Sequence, residues 1–277
     1  MLLVNIQEDV SNKTLAVEAW LVPDPNEYDA KTLKGIRRLF SCAADGSLID
    51  SPREGLTYAD LPVLMDNYLA QLFGNAADCP MELGQLTLYF VLPPSLLNKP
   101  IERLVPDWEP LGIGADDCHP VILALQQRSD IGGYKANPRW IKAWKVKANQ
   151  ANALASQVFS DRTGLKRTEI LGLKVATSLN IEADVRALAL TGTPLALWVR
   201  DNDVDQDWSQ LLDSQLLIHR LGDLPDKVLE LRRNASVLAS EADYAQSSEL
   251  GHHLSILWDD PKRVPPTVNA MFSDKKL

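Results

Sequence analysis

The sequence has few of the features that mark secreted, membrane or metal-binding proteins. Its three cysteines, Cys42, Cys79 and Cys118, are odd in number and far apart, which fits neither a disulfide framework nor a zinc pattern. No run of about 18 apolar residues is present, so we expect no membrane span. The opening stretch MLLVNIQEDV reaches acidic residues too early for a secretory signal. These absences favour a cytoplasmic protein with reduced thiols.

Positive charge is also scarce, with a net charge of −9 over 277 residues. Such an excess of acidic groups argues against nucleic acid or an anionic membrane as a partner for the whole surface. A local basic patch remains compatible with this balance. The hydrophobic fraction of 45% is that of a soluble globular protein, and the length suffices for one large domain or two small ones.

The common catalytic and nucleotide-binding motifs are missing as well. The chain has no G-x-S-x-G, H-E-x-x-H, G-x-x-x-x-G-K-[ST] or G-x-G-x-x-G pattern. Cys118 and His119 are neighbours, and neighbours in a strand point to opposite faces, which is poor geometry for a nucleophile and its base. His252 and His253 alternate in the same way. The residues therefore predict no catalytic group, no metal and no cofactor.

The first half of the chain alternates between strand-like and helix-like patterns. LLVNIQ and KTLAVEAWLVPD flank a short polar stretch, which predicts an antiparallel pair. Residues 24–57 read as an irregular loop rich in turn residues. A helix follows, with Thr57 or Asp60 as cap and Gly74 just past its end. Its predicted apolar stripe consists of Leu61, Leu64, Tyr68, Leu69 and Leu72. QLTLYFVLPPS and HPVILALQQR read as strands, and a helix over 138–158 begins at Pro138.

The last third has the clearest pattern. A helix with Asn180 as N-cap and Gly192 as its stop leads into the apolar strand TPLALWVRD. A helical stretch and a second apolar strand, HLSILWDD, follow, which predicts a parallel pair with a right-handed crossover. We therefore expect an α/β fold with a mixed sheet, antiparallel near the N-terminus and a parallel β-α-β unit near the C-terminus, with helices packed on the sheet. We expect one domain over 1–277, with 130–180 as the place for a sub-domain break.

Parallel pairing of those two strands would bring their charged ends to one edge of the sheet. This predicted charged sheet edge comprises Arg200, Asp201, Asp203, Asp259, Asp260 and Arg263. Such an edge commonly binds ligands, and facing carboxylates can hold a divalent metal or do acid–base work. The alternative, which we favour, is a turn with ion pairs, because Asp, Asn and Pro are turn residues. An EF-hand beginning at Asp201 is excluded by Gln206 and Leu212, where glycine and glutamate are required.

A basic stretch interrupts the acidic chain between residues 131 and 160, which contain no acidic residue. Its basic residues are Lys135, Arg139, Lys142, Lys145 and Lys147. Trp140 and Trp144 lie four apart and share one helix face, and we expect them to anchor the helix to its core. The basic side chains are either simply solvated or contact a partner.

Five segments, taken in order, resemble one bacterial family. They are TLAVEAWLVPD, LTLYFVLPPSLLNKPIERL, HPVILALQQR, TGTPLALWVRD and HLSILWDDPKRVPP. Together they are similar to the C-terminal domain of the vWA-MoxR associated proteins, VMAP-C, over nearly the whole chain. The resemblance implies a bacterial conflict system with a MoxR-type NTPase, a vWA protein or a trypsin-like peptidase. It also implies an adaptor or sensing module, with no catalytic residues to carry over.

On this basis we expect a non-enzymatic regulatory or adaptor protein of a bacterial antiviral defence system, acting through protein–protein contacts. An associated protease would bind or cleave it, with the loop at 24–57 as a suitable cleavage region. Any effector is expected on another polypeptide. The alternative is a ligand- or metal-dependent sensor or enzyme that uses the acidic edge at Asp259 and Asp260. Neither nucleic acid nor a membrane is an expected partner.

Overall fold

The fold is described by a computed structural model for residues 1–29, 32, 34–42, 48–49, 53–73, 86–104, 121–125, 138–161, 171–200, 204–235, 238, 240–263 and 265–266. The chain forms two compact units. Unit 1 comprises residues 1–93, 101–119 and 262–277, and unit 2 comprises 94–100 and 120–261. The expectation of one domain over 1–277 stays a prediction.

Unit 1 is built on a sheet around the N-terminal hairpin. Its strands are β1 (Leu2–Asp9), β2 (Thr14–Leu21), β3 (Arg37–Leu39), β4 (Ser41–Cys42), β5 (Leu48–Ile49), β6 (Arg53–Leu56) and β7 (Leu88–Leu92). The order is β3-β2-β1-β7, with β6 also on β2, while β4 and β5 form a separate pair. Four of these short strands, β3 to β6, lie within the stretch 24–57 that the sequence predicts as irregular. Strands of two to four residues are too short to show an alternating pattern.

The predicted N-terminal antiparallel pair is confirmed. β1 and β2 pair from Leu2 opposite Leu21 to Asp9 opposite Thr14, whereas β1 and β7 are parallel. The turn between β1 and β2 is stabilised by Asp9, whose carboxylate accepts a hydrogen bond from the Ser11 backbone N–H at 2.9 Å. Short polar side chains commonly stabilise turns in this way.

Helix α1 (Leu61–Phe73) provides much of the core of unit 1. Its predicted apolar stripe is buried as expected, and it consists of Leu61, Leu64, Tyr68, Leu69 and Leu72. The Asp60 carboxylate accepts a hydrogen bond from the Thr57 backbone N–H at 2.7 Å, immediately before the helix. The cap was predictable because this bond links residues that are only three apart.

A buried carboxylate lies in the sheet of unit 1. Glu18 on β2 is 8% exposed and its carboxylate lies 2.8 Å from Nη2 of Arg38. Burial raises the pKa of Glu18, and the neighbouring Arg38 opposes this rise without cancelling it. Burial, together with the charge of Glu18, also raises the pKa of Tyr68. Helix α1 therefore brings a phenol near a carboxylate for which protonation is made easier.

Unit 2 is built on five strands that run in both directions. Its strands are β8 (Val121–Leu125), β9 (Phe159–Ser160), β10 (Gly172–Val175), β11 (Leu195–Val199) and β12 (Leu254–Trp258), in the order β8-β12-β11-β10-β9. β9, β10 and β11 are parallel, and β12 is parallel to β8. The expected α/β class with a mixed sheet is confirmed.

The helices of unit 2 connect these strands. They are α2 (Pro138–Asn149), α3 (Arg186–Thr191), α4 (Trp208–Gln215), α5 (Leu224–Asn234) and α6 (Glu241–Ala245). A π-helical turn, Ile181–Val185, precedes α3. Within the described ranges, no helix combines the length and the apolar character that crossing a membrane requires.

The predicted parallel pairing of β11 and β12 is wrong, because the two strands are antiparallel. Leu195 lies opposite Trp258 and Val199 opposite Leu254. Their apolar sequences reflect burial on both faces, and burial does not depend on strand direction. The connection contains α4, α5 and α6, so it is longer than a single-helix crossover and returns to the same end of the sheet. A strand-helix-strand unit with parallel strands does exist, but it is formed by β10, α3 and β11.

Local signals placed the ends of some helices correctly and others incorrectly. The Asn180 side chain accepts from the Ala183 N–H at 3.2 Å, and Gly192 ends α3 with φ +72°, so both predictions are confirmed. Helix α2 ends at Asn149 and not at residue 158. Backbone groups of 151–156 bond instead to 217–222, for example Ala155 N–H to the His219 carbonyl at 2.9 Å. Pairing between residues so far apart leaves no local signal in the sequence, so the end of α2 at Asn149 could not be predicted.

The substitution Gly192→Ala tests the close approach of α3 to α2. An added Cβ at Gly192 would lie 2.5 Å from the backbone nitrogen of Trp140. The left-handed conformation costs a non-glycine residue about 1–2 kcal/mol, and overpacking adds about 1–3 kcal/mol. We expect the free energy of unfolding, measured in urea, to fall by about 2–5 kcal/mol.

Gly55→Ala is the matched control, because Gly55 has φ +75° but no described atom within 4 Å of an added Cβ. Its loss should be about 1–2 kcal/mol, from backbone conformation alone. Equal losses in the two variants would contradict the contact between α3 and α2.

Glu18→Gln tests the buried carboxylate. Because the pKa of Glu18 is raised in the folded protein, the wild type loses stability from this group as the pH rises through that pKa. The glutamine variant has no titrating group at this position, so it does not lose this contribution. The free energy of unfolding of the variant, measured in urea, should therefore rise relative to that of the wild type as the pH rises from about 4 to about 7. If the free energy of unfolding of the variant instead falls relative to that of the wild type as the pH rises, the ion pair with Arg38 outweighs the effect of burial on Glu18.

Candidate functional site

The antiparallel pairing separates the charged residues that were expected at one edge. Arg200 follows β11, and its backbone N–H bonds to the His253 carbonyl at 2.8 Å, beside the start of β12. Asp259 follows β12, and its N–H bonds to the Pro194 carbonyl at 2.9 Å, beside the start of β11. Five residues at about 3.3 Å each place these two ends about 17 Å apart. The prediction of a single charged edge, with Arg200 beside Asp259 and Asp260, is therefore wrong.

The guanidinium of Arg200 is buried and forms hydrogen bonds within unit 2. The residue is 4% exposed, and Nη1 donates to the Ser255 hydroxyl at 2.8 Å and to the Leu254 carbonyl at 3.2 Å. Nη2 donates to the His252 carbonyl at 2.6 Å. A planar guanidinium with several fixed donors suits this arrangement. The side chain of Arg200 holds the start of β12 and presents no open face to a ligand.

Both histidines at the start of β12 are buried and take part in local hydrogen bonds. Nδ1 of His252 lies 2.7 Å from the Ser247 hydroxyl, and Nε2 of His253 donates to the Ser247 carbonyl at 2.8 Å. His253 also packs against Trp208, with ring centroids 5.2 Å apart. These contacts fix the segment that leads from α6 into β12.

The acidic end of β12 is also buried. Asp259 is 2% exposed and Asp260 is 9% exposed. The Asp259 carbonyl accepts a hydrogen bond from the indole Nε1 of Trp140 at 2.7 Å. In the described part of the chain, no group of three or more His, Cys, Asp or Glu side chains is arranged to hold a metal ion. The backbone carbonyl of Asp259 therefore joins α2 to the end of β12.

The other residues of the predicted charged edge lie elsewhere or outside the described residues. Arg263 belongs to unit 1, and its guanidinium lies 5.9 Å from the centre of the Tyr89 ring. Asp201, Asp203 and Lys135 lie outside the described residues. Asp207, the last of the alternating aspartates, caps α4 by accepting from the Gln210 N–H at 3.0 Å.

Helix α2 is held to its unit by one face. Trp140 is 1% exposed, and Trp144 meets Trp258 edge to face, with ring centroids 6.3 Å apart. The ammonium of Lys147 lies 3.7 Å from the centre of the Trp258 ring and 4.3 Å from that of Trp144. A cation over desolvated tryptophan faces is attracted by their π electrons. The tryptophans anchor the helix, as expected, and Lys147 is part of the anchor.

The opposite face of α2 is exposed and basic. Arg139, Lys142 and Lys145 are exposed, and the helix has no acidic residue. Val146 lies among them with 38% of its surface exposed. At 3.6 residues per turn these side chains fall on one side of the helix, away from Trp140 and Lys147. Three of the five basic residues that are candidates for a partner contact thus form one outward surface.

The inward position of Lys147 could have been read from the sequence. Lys147 follows Trp144 by three residues and Trp140 by seven, so all three share one helix face. Charge alone suggested that Lys147 was equivalent to Lys145, but spacing separates them. The contact of Arg139 with the end of α3 could not be read in this way, because it joins residues 51 positions apart.

Comparison with known proteins gives one family. The family model described as vWA-MoxR associated protein C-terminal domain, VMAP-C, matches residues 14–261 of the chain. This match confirms the resemblance that the sequence motifs indicate. No curated protein and no solved structure matches the chain significantly.

Charge reversal at two nearby lysines tests the two faces of α2. Lys147→Glu would place a carboxylate against the faces of Trp144 and Trp258. The partial negative charge of these ring faces repels a carboxylate, and solvent is largely excluded there. We expect the free energy of unfolding in urea to fall by about 3 kcal/mol or more, together with a changed near-ultraviolet tryptophan signal.

The control is Lys145→Glu, which is two residues away on the exposed face. Its effect on stability should stay within about 0.5 kcal/mol. Two variants of similar stability would show that Lys147 is not part of the anchor.

Proposed function

The chain belongs to the vWA-MoxR associated protein C-terminal domain family, and from this premise we propose that it is a non-enzymatic adaptor or regulatory protein. It would act through protein–protein contacts in a bacterial defence system of the cytoplasm. The family name associates such domains with vWA and MoxR proteins. A MoxR-type NTPase, a vWA protein or a trypsin-like protease is the partner that we propose.

The observation that supports this proposal most directly is the division of α2 into two faces. Its inner face is fixed by Trp140, Trp144 and Lys147, which hold the helix on its unit. The outer face carries Arg139, Lys142 and Lys145. A rigid helix that exposes positive charge is suited to bind an acidic surface and to steer it during approach.

The buried polar residues support an adaptor more than an enzyme. Arg200, His252 and His253 direct their side-chain donors at backbone carbonyls or at a serine of the same unit. Asp259 is buried against the anchoring helix. A catalytic group needs access to substrate, and these side chains are instead enclosed by the strands and turns that they stabilise.

Affinity purification from the native host tests the proposal. The tagged wild-type chain should recover a vWA protein, a MoxR-type NTPase or a protease, quantified by mass spectrometry. The double variant Lys142→Glu with Lys145→Glu should recover about tenfold less of that partner, because it replaces two attractive charges by two repulsive ones.

The matched control is Lys34→Glu with Arg220→Glu, two exposed residues that are not part of α2 and that give the same change of net charge. Recovery of the partner should be unchanged in this variant. An equal loss in both double variants would show that net charge, and not the face of α2, determines binding. Recovery of none of the three partner classes by the wild type would overturn the proposal.

A further inference from the structure

The exposed face of α2 continues onto a second helix. Nη1 of Arg139, near the start of α2, donates to the carbonyl of Leu190 at the end of α3, at 3.3 Å. The tight approach of Gly192 to the backbone of Trp140 joins the same two helix ends. The exposed side chains around Arg139 and Leu190 therefore belong to one surface.

This surface combines positive charge with exposed apolar groups. We call it the basic–apolar patch, and it consists of Arg139, Lys142, Lys145, Val146, Arg186 and Leu190. Leu190 is 61% exposed and Val146 is 38% exposed. Neither α2 nor α3 contains an acidic residue. In a chain with a net charge of −9, this concentration of positive charge is local.

The spacing of the patch suits an elongated partner. Arg139, Lys142 and Val146 are three and four residues apart, so they form a row about 10 Å long on α2. Arg186 and Leu190 are four apart and share a face of α3. Each helix thus offers an apolar side chain beside basic ones. A helix with acidic and apolar residues at the same three- and four-residue spacing would be complementary to it.

The same features argue against a nucleic acid. Proteins that hold single strands stack bases on exposed aromatic rings, whereas the tryptophans of α2 face inward. Trp140 is buried, and Trp144 packs on Trp258 beside the ammonium of Lys147. The side chains that project outward with the cations are Val146 and Leu190, which suit an apolar side chain better than a base.

We propose that the basic–apolar patch binds an acidic amphipathic helix of a partner protein. The apolar side chains of that helix would contact Leu190 and Val146, and its carboxylates would pair with the surrounding Arg and Lys side chains. This inference rests on the proposed adaptor function and names the kind of segment by which the partner is recognised.

Fluorescence anisotropy with synthetic peptides tests this inference on the full chain. The probe is a labelled helical peptide of about 20 residues with Glu and Leu at three- and four-residue spacing. Three further probes are compared with it: a glutamate peptide without leucine, single-stranded DNA of equal charge, and anionic lipid vesicles. We expect the amphipathic peptide to bind most tightly, and to bind less tightly as salt screens the charges.

Substitutions separate the apolar and the charged contributions. Leu190→Ser should weaken binding of the amphipathic peptide about tenfold, which corresponds to about 1.4 kcal/mol. Ile218→Ser is the matched control, because Ile218 is also a large apolar residue of unit 2, 58% exposed, and it should leave binding unchanged. Lys142→Glu with Lys145→Glu should weaken binding about tenfold, whereas Lys34→Glu with Arg220→Glu should not.

Equal binding of the two peptides, or no effect of Leu190→Ser, would overturn the apolar part of the inference. Tighter binding of DNA or vesicles would overturn the choice of a protein segment. The outcomes also separate the inference from the proposed function. If the native partner still depends on Lys142 and Lys145 while no acidic peptide binds, the adaptor function stands and the recognition of an amphipathic helix is wrong.

Discussion

Strand β12 is held at both ends by side chains that reach backbone carbonyls. At its start, the guanidinium of Arg200 donates to the carbonyls of His252 and Leu254. At its end, the indole of Trp140 donates to the carbonyl of Asp259. Hydrogen bonds in a buried setting are strong and leave little freedom. The bond from Trp140 fixes the position of α2 at the end of this strand, and with it the direction in which the basic residues of α2 point.

Sequence predicted those parts of the fold that depend on residues close together in the chain. The cap at Asn180, the stop at Gly192 and the stripe of α1 each rest on contacts within about one or two helical turns. The direction of β12 rests on the path of more than 50 residues after Arg200, and an apolar run of five residues carries no sign of direction. The α/β class could therefore be predicted from the sequence, whereas the antiparallel pairing of β11 with β12 could not.

The candidate site shows the same division on a smaller scale. Helix periodicity in the sequence correctly placed Trp140 and Trp144 together, and the same periodicity would have placed Lys147 with them. The burial of Arg200 and Asp259 was hidden because each residue bonds to a residue far along the chain. Charged residues at strand ends are usually exposed, so burial at both ends of one strand arises from tertiary structure alone.

The buried charges explain why the exposed ones are available. Arg200 and Lys147 are enclosed by carbonyls and aromatic rings, so they contribute to holding the unit together and contribute little to its outer field. Lys142 and Lys145 lie on the same helix as Lys147 but on its exposed face. A helix that is fixed by one face can change the residues on its other face with little cost in stability. The residues on the outer face of α2 can therefore change while the fold that presents them is retained.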